Sequence, residues 1–153
     1  MIPAMNPEDQ KYMKEALRSA AGAGKRGEVP IGAVVVRAGK IIARGANCPV
    51  SRRDPTAHAE IIALRKAARR TGNYRLTGSD LYVTLEPCAM CLGAIVQARI
   101  RRLVFGAADP KAGAVGSIMT FPFDKVNHRP EIRAGVLEEE CRRILRDFFR
   151  LKR

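Results

Sequence analysis

Two short stretches carry residue types that can do metal chemistry. In "TAHAE", residues 56–60, His58 stands two positions before Glu60; in "PCAMC", residues 87–91, Cys88 and Cys91 stand three apart. The chain has only two histidines, His58 and His128, and four cysteines, Cys48, Cys88, Cys91 and Cys141. A C-x-x-C pair has two readings in a chain without an export signal, metal binding or redox chemistry. At the start of a helix, positions three apart share a face, and the electropositive helix terminus favours the thiolate form. Two thiolates so placed are half of a tetrahedral zinc site. His58 supplies a third ligand if its helix begins at the same place. Three protein ligands leave a fourth position for water, the mark of a catalytic site, and the metal brings that water's pKa toward neutrality. Glu60 then need not bind metal; it can move the water's proton to substrate. A closed structural site competes with this reading. It requires Cys48 or Cys141 as a fourth ligand and gives Glu60 no task.

The surrounding pattern supplies elements that can position both stretches. Asn6 can cap a first helix, with Pro7 at its first position, an apolar stripe of Tyr12, Met13, Ala16, Leu17, Ala20 and Ala21, and Gly22 and Gly24 as its end. "IGAVVVRAGKIIARGAN" reads as a hairpin around a tight Ala38-Gly39 turn. The second helix takes Asp54 or Thr56 as its cap and runs to about Thr71, with Gly72 as its stop. "DLYVTLEP" is a strand, "PCAMCLGAIVQAR" a helix entered through Pro87, and "IRRLVFGA" another strand. An irregular stretch, "ADPKAGAVGSIMTFPFDKVNHRP", holds at most one short helix. "EIRAGV" is a last strand, and Leu137, Cys141, Ile144, Leu145 and Phe148 line a terminal helix. Strands alternating with helices predict an α/β fold, a three-layer α/β/α sandwich with a mixed five-stranded sheet. In such a sheet successive helix starts lie along one edge, so His58 and the cysteine pair can converge there.

Size and charge narrow the class. The chain has 153 residues, 46% of them hydrophobic, which fits one domain over residues 1–153 with a full core. No apolar run approaches the roughly 18 residues of a membrane helix. The opening stretch, "MIPAMNPEDQKYMKEAL", lacks the apolar segment of a signal peptide, so the expected location is the cytoplasm. There Cys48 and Cys141 are expected to be small buried thiols rather than disulfides. Lys and Arg number 28 against 15 Asp and Glu, a net charge of +13. Arginine clusters at Arg52-Arg53, Arg69-Arg70, Arg101-Arg102 and Arg142-Arg143. A positive field of this size points to a polyanionic partner, nucleic acid foremost.

H-x-E followed by P-C-x-x-C is the signature of the zinc nucleobase deaminases. More of the chain resembles one branch of that superfamily. "EVPIGAVVV", "DPTAHAEIIALR", "NYRL", "LYVTLEPCAMC", "VFGAADPKAGAVGS", "NHR" and "DFFR" resemble the bacterial tRNA-specific adenosine deaminases, in order and over nearly the whole chain. The resemblance implies a cytidine deaminase-like fold, one Zn2+ per subunit, a homodimer and a tRNA anticodon stem-loop as substrate. The implied reaction converts the wobble adenosine to inosine with release of ammonia. His58, Cys88 and Cys91 would hold zinc and Glu60 would move the protons. Asn47 and the backbone N–H of Ala59 would contact the base, and Val29 would help wall the pocket. Asp109 and Phe149 would lie against neighbouring anticodon nucleotides. Two other readings remain, a deaminase of a free base or nucleoside such as cytidine or guanine, and a zinc-stabilised RNA-binding module without catalysis. The first leaves the basic surface unexplained, and the second leaves Glu60 unexplained.

Overall fold

The computed structural model describes residues 6–152. The sequence readings made for residues 1–5 and 153 lie outside it. Helix α1, Pro7–Lys25, is capped by Asn6, whose side-chain oxygen accepts the Glu8 N–H at 2.9 Å. Strands β1, Gly32–Arg37, and β2, Lys40–Ala46, form the expected hairpin, with Ala38 and Gly39 both at positive φ. A single turn, α2, Pro49–Arg52, precedes α3, Ala59–Thr71. Strand β3, Ser79–Leu85, leads to α4, Ala89–Gln97, and β4, Arg102–Ala107, follows. A 3-10 turn at Phe123–Lys125, the short β5, Glu131–Arg133, and α5, Glu138–Leu151, complete the described chain.

The five strands stand in the order β2-β1-β3-β4-β5. β1 runs antiparallel to both neighbours, while β3, β4 and β5 are parallel. Two antiparallel pairings in succession make β2 point the same way as β3. The C-terminal ends of β2, β3 and β4 therefore share one edge of the sheet, and α3 and α4 both start there. Helices cover both faces, α3 and α4 on one and α1 and α5 on the other. β3 is buried on both sides, so it reads as an apolar run rather than an alternation. Leu81 and Val83 enter the α3/α4 core, and Tyr82 enters the α1/α5 core.

Three sequence expectations shift. α1 continues through Gly22 and Gly24, because Ala23 is fully buried and packing outweighs the roughly 1 kcal/mol cost of a helical glycine. Its buried stripe accordingly includes Ala23, while Ala21 is exposed. α3 begins at Ala59 rather than beside Asp54. Asp54 instead closes a turn of its own, its Oδ1 accepting the Thr56 N–H at 2.9 Å and the Thr56 hydroxyl at 2.7 Å. The Arg101-Arg102 pair braces buried acids, Arg102 from within the fold and Arg101 from its surface. Arg102 grips Asp9 of α1 at 3.0 and 3.1 Å, and Arg101 grips Asp80 at 2.8 and 2.9 Å. Two of the cations counted toward a polyanion-binding surface are thus neutralised within the fold.

Candidate metal centre and active site

The delayed start of α3 makes His58 its N-cap residue, and Cys88 caps α4 in the same way. Each cap residue has extended backbone, and its carbonyl accepts the first helical hydrogen bond, from Ile62 and Leu92 respectively, at 3.0 Å. Cys91 lies one turn into α4 and is fully buried. The two helix starts meet at the shared sheet edge. His58 Nδ1 lies 3.6 Å from Cys88 Sγ and 3.5 Å from Cys91 Sγ, and the three ligand atoms all fall within 4.8 Å of one another.

One imidazole nitrogen and two thiolate sulfurs suit zinc, which takes N and S donors in tetrahedral geometry. Among the described residues no fourth side chain joins them. Cys48 packs with Ala57 and Ile62, and Cys141 is buried in the α1/α5 core. Neither completes a closed site, and both are the buried thiols expected from the sequence. His128 is likewise structural, donating its Nε2–H to the Ile100 carbonyl at 2.7 Å.

The thiols and imidazole are poised against one another. A hydrogen bond from the Cys91 thiol overcomes burial and, with His58 beside it, brings the Cys88 thiol down to about 4. The same contact, together with burial, pushes Cys91 up. His58 is raised, chiefly by its hydrogen bond to Cys88. Glu60 is 4% exposed on the first turn of α3, and burial raises its carboxyl to about 7. A carboxyl near neutrality can both accept and donate a proton, which suits it to general acid–base work.

These groups open onto a cavity of about 170 Å³. Val29, Ile31, Asn47 and Pro49 form one side, Leu85, Glu86, Asp109 and Ala112 another, and His58, Glu60 and Cys88 complete it. The fold therefore brings Val29, Asn47 and Asp109 to the cavity that His58 and Glu60 line. Ala59 is fully buried between His58 and Glu60 and does not line the cavity. Phe149 lies apart from this cavity. It lines an adjoining one of about 470 Å³, together with Val29, Asp109, Lys111, Leu145 and Arg146. There the Lys111 ammonium sits 5.8 Å from its ring centre.

Sequence reasoning missed two acids. Glu28 is buried and accepts the Val50 and Ser51 N–H groups at 3.2 and 2.7 Å, tying down the turn beyond Asn47. Glu86 is buried and holds the loop after β4. Burial works against ionisation at both, yet the hydrogen bonds they accept hold their carboxyls below the usual range. The available signal at Glu86 was an acid directly after an apolar strand with no cation close in sequence; Glu28, with Lys25 and Arg26 just before it, carried no such signal.

An N,S,S donor set left one ligand short, with a buried carboxyl two residues from the histidine, is the arrangement of the zinc nucleobase deaminases. The chain belongs to the MafB19-like deaminase family, whose model matches residues 7–153. It is 54% identical to the tRNA-specific adenosine deaminase of Haemophilus influenzae over 95% of this chain and 85% of that protein. A solved structure from work on A-to-I editing by tRNA:A34 deaminases at the wobble position of transfer RNA superimposes with a TM-score of 0.82. It is 49% identical and covers 88% of this chain and 99% of its own. The guanine deaminase from Nitrosomonas europaea shares the fold, with a TM-score of 0.81, at 25% identity over 96% of this chain and 86% of its own.

Proposed function

We propose that this protein is a tRNA adenosine deaminase that converts the wobble adenosine of an anticodon to inosine by hydrolysis, releasing ammonia. The observation that carries the reading is the His58, Cys88 and Cys91 cluster facing buried Glu60, in a chain 54% identical to a tRNA-specific adenosine deaminase. His58 Nδ1, Cys88 Sγ and Cys91 Sγ would hold zinc. When bound, zinc supplies Lewis-acid activation of water near neutral pH. Glu60 takes a proton from the attacking water and delivers it to N1 of adenine as C6 becomes tetrahedral. It then helps to protonate the departing amine. Asn47 orients the base, and Val29 packs against it. Asp109 and Phe149 stand against the nucleotides beside it, where Lys111 and Arg146 supply positive charge.

An adenine inside a duplex hides C6, whereas an anticodon-loop adenine can be splayed out at lower cost. The net charge of +13 favours an RNA over a free base. The zinc-loaded protein should form inosine in an anticodon stem-loop with a wobble adenosine. Deamination of free guanine or cytidine in place of the stem-loop would overturn the assignment. The same reading makes the chain a single-domain cytoplasmic homodimer, which sedimentation of the purified protein checks. No helix among the described residues is long and apolar enough to cross a membrane.

A further inference from the structure

The loop that follows β4 forms one wall of the cavity through Asp109 and Ala112. It has little regular structure of its own beyond an isolated bridge between Val115 and Thr120. Its backbone is gathered onto one carboxylate. Glu86 Oε1 accepts the Asp109 N–H at 3.1 Å and the Ser117 hydroxyl. Glu86 Oε2 accepts the Val115 N–H at 2.8 Å and the Ser117 N–H at 3.2 Å. Glu86 is 3% exposed, and its own N–H is held by the Ala107 carbonyl at 2.8 Å. The next residue adds a further tie, the Pro87 carbonyl accepting the Ala114 N–H at 2.9 Å. Gly113 lies flat against the carboxylate, where a Cβ would overlap it.

We infer that Glu86 is a positioning residue for substrate: its carboxylate clamps the loop from Asp109 to Ser117 into a preformed wall, setting how the cavity binds the anticodon nucleotide rather than how it holds metal. The inference rests on the reading of this cavity as the adenosine site. Both oxygens of Glu86 are occupied by the loop, which leaves it no free lone-pair direction for a proton-transfer task. Its chemistry is not interchangeable with an amide. In glutamine one oxygen becomes an NH2 donor. Turned one way, that donor meets the Asp109 N–H. Turned the other, it meets the Val115 and Ser117 N–H groups. Either orientation sets donor against donor at the buried side chain, which frees one end of the loop. The wall then becomes mobile while His58 and Cys88 keep their helix-cap positions and Cys91 its place in the first turn of α4.

The test compares the zinc-loaded wild type with Glu86→Gln, Gly113→Ala and Ser117→Ala. Metal content, amide exchange at Asp109, Val115 and Ser117, and kcat and KM on the anticodon stem-loop are measured. Glu86→Gln should keep its zinc, speed exchange at these amides, and raise KM about tenfold while kcat changes less than about threefold. A purely structural role would lower the active fraction, and so apparent kcat, without moving KM. Gly113→Ala disturbs the same contact from the loop side and should not add to Glu86→Gln in the double variant. Ser117→Ala removes only the hydroxyl donor and should raise KM about threefold. If Glu86→Gln fails to fold, the other two variants decide the matter. Unchanged exchange at the three amides, wild-type KM throughout, or loss of zinc from Glu86→Gln would each overturn the inference. An inactive wild type would count against the proposed function instead, and the exchange data would still judge the clamp.

Discussion

Glu60 owes its suitability to where α3 begins. One residue separates it from the cap histidine, and the first turn of the helix buries it beside the cavity, 4% exposed. Burial raises the carboxyl to about 7, so both protonation states are available near neutral pH. Glu60→Gln keeps the volume and removes the proposed proton relay. It should retain zinc, bind the stem-loop with little change, and lose about 10³-fold in kcat, within the usual range for a general acid–base group. Metal analysis and steady-state assays check this, and undiminished kcat would remove Glu60 from the chemistry. The two thiols that remain, Cys48 and Cys141, show why a cysteine count alone misleads: each is buried among apolar neighbours and neither joins the triad.

At the scale of elements, the site depends on α3 lying close against β2. Gly45 of β2 faces the Ala59 carbonyl and the Ala63 N–H of that helix, and a Cβ there would overlap both backbone groups. Backbone cannot yield as a side chain can. Gly45→Ala should therefore push the first turns of α3 outward, costing about 1–3 kcal/mol of stability. Because His58 caps that turn, the displacement should also weaken zinc binding. A chelator-competition titration beside a urea melt separates the two effects. A variant that lost stability but held zinc at wild-type affinity would show that His58 is positioned independently of the strand. The loops obey similar logic with different chemistry. Glu28 and Glu86 replace regular pairing by drawing backbone N–H groups onto buried carboxylates on two sides of the cavity.

Over the whole molecule, the same device makes acid a denaturant. Asp9 is 1% exposed between α1 and the sheet, bound by Arg102 and by the Tyr82 hydroxyl at 2.7 Å. Burial opposes ionisation, but these partners outweigh it and hold the carboxyl below its ordinary 3.8. A carboxyl depressed by folding contributes stability that is fully present above the unfolded pKa and is lost as pH falls through the lower folded one. For Asp9 that window lies below pH 3.8. Asp9→Asn should be less stable at neutral pH, because Arg102 loses its charge partner. It should also lose less stability than wild type on further acidification below about pH 4. Urea midpoints across that range check this, and parallel curves for the two proteins would contradict it. The basic surface must be counted after such pairs are set aside. Arg101 and Arg102 brace Asp80 and Asp9, and Arg142 is tied to Glu138 and Glu139. Arg146 also reaches Glu139, at 4.0 Å, whereas Lys111 lies over the Phe149 ring and lines the cavity beside the site.

The sequence by itself determined the donor types, their spacing and the succession of elements. H-x-E and P-C-x-x-C name their chemistry locally, because the ligands of each motif lie within one helical turn. Alternating apolar strands and amphipathic helices imply their layers for the same reason. The tertiary structure alone decided what depends on distant partners. It placed the start of α3 at His58, since Asp54 satisfies Thr56 in a turn instead of capping the helix. It ran α1 past two glycines, since burial of Ala23 outweighs local propensity. It set Arg101 and Arg102 against acids 21 and 93 positions away. It also gave Glu86 its place, holding a loop that begins 23 positions later. A motif can be read where its partners are near in sequence; a buried charge acquires its role from whichever distant group the fold sets against it.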